Sequence, residues 1–174
     1  PTGILGVLLS DIIKAANTMI LVPGVCLLIT AMFLLIADAA DVGEKRPREV
    51  GYLEAGAVGV AQGLATMPGI SRSGTTITAC LLCGFEKRFA VKYSFIMSIP
   101  AVLGAVVLEL KDFTDMHFSR DMAVSCGIAT AVAAVVGYLS ICFMMRIIRG
   151  KKYKYFALYC GLMGMVAIGF YFLQ

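Results

Sequence analysis

The sequence predicts an all-α integral membrane protein, a polytopic helix bundle that includes a re-entrant helix-turn-helix hairpin. Three observations lead there. The composition is strongly apolar, four runs are long enough to cross a bilayer, and one further apolar stretch is broken at its middle by proline, glycine and polar residues.

Of the 174 residues, 60% are hydrophobic and 15% charged, and the mean hydropathy is +0.89. A soluble domain carries about 25% charged residues, so the bilayer is the expected solvent. The net charge of +4 sits in short loops between apolar runs. That pattern fits membrane topology and leaves no basic face for nucleic acid.

Residues 18–37, 92–110, 122–145 and 153–173 are each about 20 apolar residues long, the length that spans a hydrocarbon core. Pro100 falls inside the second of them. The polar connections are residues 38–50, which mix Lys45, Arg46 and Arg48 with Asp38, Asp41, Glu44 and Glu49; residues 111–121; and residues 146–154, with five basic residues and no acid. Residues 146–154, and Lys87, Arg88 and Lys92, fall on the same side and are expected to face the cytoplasm.

Residues 53–85 differ. A first half-helix over Leu53–Met67 and a second over Thr75–Gly84 are each too short to cross about 30 Å at 1.5 Å per residue. Irregular backbone at membrane depth survives where it is buried in protein or lines a wet cavity. The break is therefore a candidate site. Pro68 ends the first half-helix, Gly69 allows the turn, and Ser71 or Ser73 can cap the second half-helix. Gly74, Thr75 and Thr76 then form its first turn, whose free N–H groups and positive dipole end suit an anion. Arg72 at the tip is costly at membrane depth. No acid follows Glu54 within the hairpin, and a phosphate would satisfy the guanidinium fork bidentately. Ser71, Ser73 and Thr76 add hydroxyls that can donate bonds or attack phosphorus. Gln62 lies on the apolar first half-helix, as either a core amide or a group that orients the site. His117, the sole histidine, reads as a surface residue.

The six cysteines, including the Cys80-x-x-Cys83 pair, sit in apolar segments and read as small buried fillers. Gly59-x-x-x-Gly63, Ala61/Ala65 and Ala129/Ala133/Gly137 provide the small faces that close packing in lipid needs. Packing within the chain is the favoured reading, and the same spacing leaves a homodimer open.

The run Gln62-Gly63-Leu64-Ala65-Thr66-Met67-Pro68-Gly69-Ile70-Ser71-Arg72-Ser73-Gly74-Thr75-Thr76 closely resembles the P-G-x-S-R-S-G signature of the bacterial undecaprenyl-diphosphate phosphatases, the bacitracin-resistance family. The likeness continues through Arg88, Tyr93-Ser94-Phe95 and Ile99-Pro100 and covers essentially the whole chain. The resemblance implies hydrolysis of undecaprenyl diphosphate, which recycles the cell-wall lipid carrier. It also implies two inverted repeats, this chain holding the second, in the bacterial plasma membrane with the site facing outward. Ser71, Arg72 and Thr76 would be catalytic; Gly69, Ser73, Gly74 and Thr75 would bind phosphate; Gln62 and Arg88 would support them. A divalent cation, Mg or Ca, is implied as well. Its ligands would belong to a glutamate-rich motif that nothing here matches. The chain opens at Pro1 with residues 1–9 reading as a helix already under way, so it is expected to be part of a longer protein and inactive alone. Members often carry an arginine after the tyrosine of the last span, where this chain has Cys160 after Tyr159. The alternative is a transporter or flippase for a lipid phosphate or other anion, which uses the same broken helices.

Overall fold

The computed structural model describes residues 1–17, 19, 21–40, 43–113, 120–149 and 153–172. Thr18, Asp41, His117, Lys151, Lys152 and Leu173, to which the sequence assigns places, lie outside them. In chain order the helices are α1 (Thr2–Leu8), α2 (Ser10–Asn17), α3 (Leu21–Ala39), α4 (Tyr52–Leu64), α5 (Arg72–Leu82), α6 (Lys87–Phe113), α7 (Arg120–Arg149) and α8 (Tyr153–Phe172). Among the described residues there is no β-strand, only one isolated bridge between Lys45 and Phe85.

Among the described residues four helices are long and apolar enough to cross a membrane, over Leu21–Ala39, Lys87–Val107, Met122–Phe143 and Lys154–Phe172. The chain is thus an all-α, multi-pass membrane protein. α6 and α7 run beyond the apolar limits read from sequence, to Phe113 and from Arg120. Hydropathy marks where lipid contact ends, whereas backbone hydrogen bonding continues a helix into polar flanks.

The chain divides into two compact units, Pro1–Val102 with Tyr153–Gln174, and Leu103–Lys152. In the first, α3 and α8 form the most extensive helix pair. Glycine makes their approach feasible: a Cβ on Gly164 would lie 2.9 Å from the Gly24 carbonyl oxygen. Small residues of this kind substitute for the hydrophobic drive that lipid does not supply. α1 lies along α4, with Pro1 over Gly59 and Leu5 over Gly63. Thr2 Oγ1 donates to the Gly59 carbonyl at 2.8 Å. The Gly59–Gly63 face therefore packs within the chain. In the second unit, α7 exposes Val124, Ile128, Val132 and Val135, and a Cβ on Gly137 would meet nothing within 4 Å.

α5 packs on both α3 and α4 and is the most enclosed element. Ile77, Cys80, Leu81, Phe85 and Val91 are buried around it, and so are the polar residues Thr30, Gln62, Thr75, Thr76, Thr78 and Ser94. A polar cluster in the core of a lipid-facing bundle is costly unless it is hydrogen-bonded.

The open base of the α4–α5 hairpin is closed by local chemistry. Gly84, at φ +81°, donates to the Leu81 carbonyl at 2.9 Å while Phe85 N–H reaches the Cys80 carbonyl at 3.0 Å. This Schellman arrangement satisfies the last carbonyls of α5. Lys45 N–H then donates to the Gly84 carbonyl, and Glu86 N–H to the Lys45 carbonyl. The Lys45 ammonium pairs with Glu54 Oε1, whose other oxygen accepts from Gly51 N–H at 2.9 Å. Phe85, Phe89 and Tyr93 stack in a mutual cluster, with centroids 5.2–5.7 Å apart, that steers the chain into α6.

Candidate active site

The tip of the hairpin is Ala65–Ser71. Past Leu64 the α-helical ladder gives way to tighter turns: Thr66 N–H bonds to Gly63, Met67 to Leu64, and Ile70 to Met67. Pro68 has no N–H to continue the helix. Gly69 adopts φ +94°, a conformation closed to ordinary side chains. It also lies directly on α3, where an added Cβ would come 2.6 Å from the Pro23 carbonyl oxygen and 2.9 Å from Cys26 Cβ.

Ser71 is the N-cap of α5, its Oγ accepting from Gly74 N–H at 3.2 Å. Helix α5 therefore begins at Arg72, three residues before the Thr75 start read from sequence, and Ser73 sits inside its first turn. One α3 hydroxyl holds the tip from outside. Thr30 Oγ1 donates to the Gly69 carbonyl at 3.1 Å and accepts from Ser71 N–H at 3.0 Å. Thr30 is nine residues from either end of α3 (30 − 21 and 39 − 30), about 13–14 Å along the axis. The capping serine thus lies level with the middle of a helix long enough to span a membrane.

The donors at this end can be accounted for one by one. Ser71 N–H goes to Thr30, and Gly74 N–H to Ser71 Oγ. Thr75 N–H bonds to the Ser71 carbonyl. The N–H groups of Arg72 and Ser73 have no partner among the described residues. The half-buried Arg72 side chain likewise makes no hydrogen bond or ion pair among them. Two free backbone donors, a helix N-terminus and an unpaired guanidinium therefore converge on one turn, an arrangement suited to an oxyanion.

Behind that turn the hydroxyls are committed to the protein. Thr76 Oγ1 lies 2.9 Å from the Arg72 carbonyl oxygen and 3.2 Å from that of Ser73, and it hydrogen-bonds Ser94 Oγ on α6. Thr78 Oγ1 bonds to the carbonyls of Gly74 at 2.8 Å and Phe33 at 3.0 Å. Gln62 Nε2 donates a long bond of 3.5 Å to the Met97 carbonyl. Gln62 Oε1 and Thr75 Oγ1 are buried without a partner among the described residues, a deficit of about 1–3 kcal/mol each if nothing else meets them. Orphans of this kind are uncommon and tend to mark functional sites.

Of the residues singled out from sequence, Gly69, Ser71, Arg72, Ser73, Gly74, Thr75 and Thr76 share this turn, and Gln62 is buried near the end of α4, against α6. Arg88 does not join them. It is exposed at the start of α6. The Thr76–Ser94 contact sets the register of α5 against α6. It places Arg88 about 15 Å from Arg72 along the axis, ten residues at 1.5 Å each. Thr30 and Ser94 complete the polar shell: Thr30 carries no signal in the sequence, being the single hydroxyl of an apolar helix, and Ser94 enters only through the likeness over Tyr93-Ser94-Phe95, with no site role read from it. Among the described residues no three His, Cys, Asp or Glu side chains come together. These residues alone do not fit a divalent-cation site.

The fold and this turn define a multi-pass membrane protein with an anion-ready hairpin in its core. A family model described as bacitracin resistance protein BacA matches residues 1–166, and the chain belongs to that family. It is 39% identical over 97% of its length to an undecaprenyl-diphosphatase of Methanosphaera stadtmanae, covering 60% of that protein. The same identity and share of the chain hold for one from Halothermothrix orenii, of which 65% is covered. An undecaprenyl-diphosphatase of Methanothermobacter thermautotrophicus is 38% identical over 97% of the chain and is covered to 93%. The chain thus spans about three fifths of the length of the first two relatives.

Proposed function

We propose that this chain supplies the diphosphate-binding hairpin of an undecaprenyl-diphosphate phosphatase, which hydrolyses the lipid diphosphate to undecaprenyl phosphate and inorganic phosphate. The observation that carries the reading is Arg72: a guanidinium unpaired among the described residues, at the first position of α5, beside the free N–H groups of Arg72 and Ser73. A half-buried cation at membrane depth without a counter-charge is unfavourable, and a diphosphate supplies that charge in the right shape.

In the reaction an oxygen nucleophile adds to the terminal phosphorus, the bond to the bridging oxygen breaks, and the lipid phosphate leaves with the electron pair. Negative charge grows on the bridging and equatorial oxygens. Arg72 and the two N–H groups stabilise it without reorganising, because Ser71 and Thr30 have already fixed the turn. Ser71 Oγ accepts from Gly74 N–H, which lowers the cost of an oxyanion there and makes it one candidate nucleophile; water and a serine outside this chain are the others. The divalent cation expected for the family would take its ligands from outside the described residues, and no step above passes through it.

The hairpin reads as re-entrant: α4 and α5 are 13 and 11 residues long, and their tip is level with the middle of α3. The base, with Lys45, Lys87 and Arg88, lies at the Ala39 end of α3. If that basic end faces the cytoplasm of a bacterial plasma membrane, the tip opens toward the outer side.

Phosphate release from undecaprenyl diphosphate in detergent, where transport has no meaning, tests the reading in the full-length protein. Arg72→Ala is expected to lower turnover at least a hundredfold, the scale of losing a transition-state donor. Wild-type turnover in that variant refutes the phosphate clamp.

A further inference from the structure

We propose that Ser94 is a positioning residue for the diphosphate clamp, acting through Thr76 on the peptide planes that carry Arg72. The assignment rests on the phosphatase reading above and deepens it. Both hydroxyls are enclosed, at 1% exposure for Thr76 and 3% for Ser94, so neither is placed to touch substrate.

Counting protons gives the direction of the chain. A carbonyl only accepts, so the single Thr76 proton goes to the Arg72 carbonyl at 2.9 Å or the Ser73 carbonyl at 3.2 Å. The contact with Ser94 Oγ is then assigned as Ser94 donating to Thr76, since Ser94 Oγ has no other acceptor among the described residues. A serine inside a helix ordinarily returns its proton to a carbonyl three or four residues back. Ser94 instead sends it across to α5. Ser94 is held in turn by its own helix, where Gln62 of α4 reaches the Met97 carbonyl three residues further on.

The carbonyl at the end of this relay matters. The Arg72 carbonyl and the Ser73 N–H belong to one planar peptide unit. Fixing the carbonyl therefore aims the Ser73 N–H, one of the two free donors of the site, and sets the backbone from which the Arg72 side chain leaves. Ser94 acts on the reacting phosphate at two removes, by holding donors whose alignment counts most in the transition state.

The test is phosphate release from undecaprenyl diphosphate by the full-length protein in detergent, with melting temperatures recorded for each variant. Ser94→Ala and Thr76→Val should each lower kcat about tenfold, with KM within about twofold. Their combination should be no worse than Thr76→Val alone, because the two act in series. Thr76→Ser, which keeps the hydroxyl, should recover most of the rate. Placed on Arg72→Ala, Ser94→Ala should cost less than it does in the wild type, because only the part that runs through the Ser73 N–H remains. Should Ser94→Ala fail to fold, Ser94→Cys keeps the volume with a weaker donor and should show a partial loss. Full kcat in Ser94→Ala or Ser94→Cys, or multiplicative losses in the double variant, overturns the assignment while leaving the clamp in place. Full turnover in Arg72→Ala overturns the clamp on which the assignment rests, and absence of phosphate release by the wild-type protein overturns the phosphatase reading itself.

Discussion

Gly69→Ala is the sharpest test of how the site is held. Two separate costs meet there. The backbone is left-handed at φ +94°, which disfavours any residue with a Cβ by about 1–2 kcal/mol. The new methyl would also fall 2.6 Å from the Pro23 carbonyl oxygen and 2.9 Å from both Pro23 Cα and Cys26 Cβ. Two of those three neighbours are backbone of α3 and cannot rotate away, so overpacking adds about 1–3 kcal/mol. The sum is about 2–5 kcal/mol, which at 2–4 °C per kcal/mol lowers Tm by on the order of 10 °C. Thr30 ties the Gly69 carbonyl to Ser71 N–H, so displacement at Gly69 also moves the cap of α5, and turnover should fall with stability. Gly56→Ala is the control: it is helical and its Cβ would meet nothing within 4 Å, so it should be neutral or stabilise by up to about 1 kcal/mol. Thermal unfolding of detergent-purified variants, followed by helix content, reads the difference. If Gly69→Ala melts within a degree of wild type and turns over normally, the packing of the tip on α3 is not as described.

Thr30→Val removes both bonds to the tip while keeping the side-chain shape. It should cost about 1–3 kcal/mol and reduce turnover, checked by the same melting and phosphate-release assays. Arg72→Lys keeps the charge and loses the fork, so it should fall at least tenfold below wild type in kcat/KM while exceeding Arg72→Ala. At the hairpin base, hydrogen bonds from the Lys45 ammonium and then Gly51 N–H hold the Glu54 carboxyl below its ordinary value, and the bond to Glu54 pushes the Lys45 ammonium up. The carboxylate's contribution is present above its unfolded pKa and is lost as pH falls through the lowered folded value. The ammonium's is present below its unfolded pKa and is lost as pH rises through the raised value. Melting temperature against pH should therefore plateau between about pH 5 and 10 and fall on both sides, and Glu54→Gln should flatten both edges. Val132→Lys on the exposed face of α7 should be neutral in water but cost about 2.5–3.5 kcal/mol in a membrane, measured as insertion efficiency.

The turn chemistry is legible in the sequence because each residue there has a local reason. Proline stops α4, glycine alone accepts the left-handed turn, and a serine caps α5. The sequence starts the second half-helix at Thr75, three residues late, because Ser71 and Ser73 are equally good caps in isolation. What decides for Ser71 is Thr30, 41 residues away, which grips the Ser71 N–H. The pairing of Ser94 is hidden for the same reason: the likeness touches the residue, but its partner is 18 residues away and no periodicity announces the contact. α2 (Ser10–Asn17) escapes a reading from hydropathy because its polar residues interrupt the apolar pattern that marks the other helices. Arg88 enters by resemblance, and the register of α5 against α6 places it at the wrong end of the hairpin for the tip. Sequence reports chemistry that is local, whereas the shell around the turn is set by tertiary contacts.

The level of Ser71 against Thr30 has an electrical consequence. If α3 crosses the membrane, an anion bound at the tip has travelled about half of the transmembrane field. Moving one elementary charge through the whole field is worth about 2.3 kcal/mol per 100 mV. A dry approach would thus make binding of each phosphate charge depend on membrane voltage by about 1.2 kcal/mol per 100 mV, while a water-filled vestibule would collapse the field and erase the dependence. Substrate affinity measured in energised vesicles would therefore report how wet the path to Arg72 is.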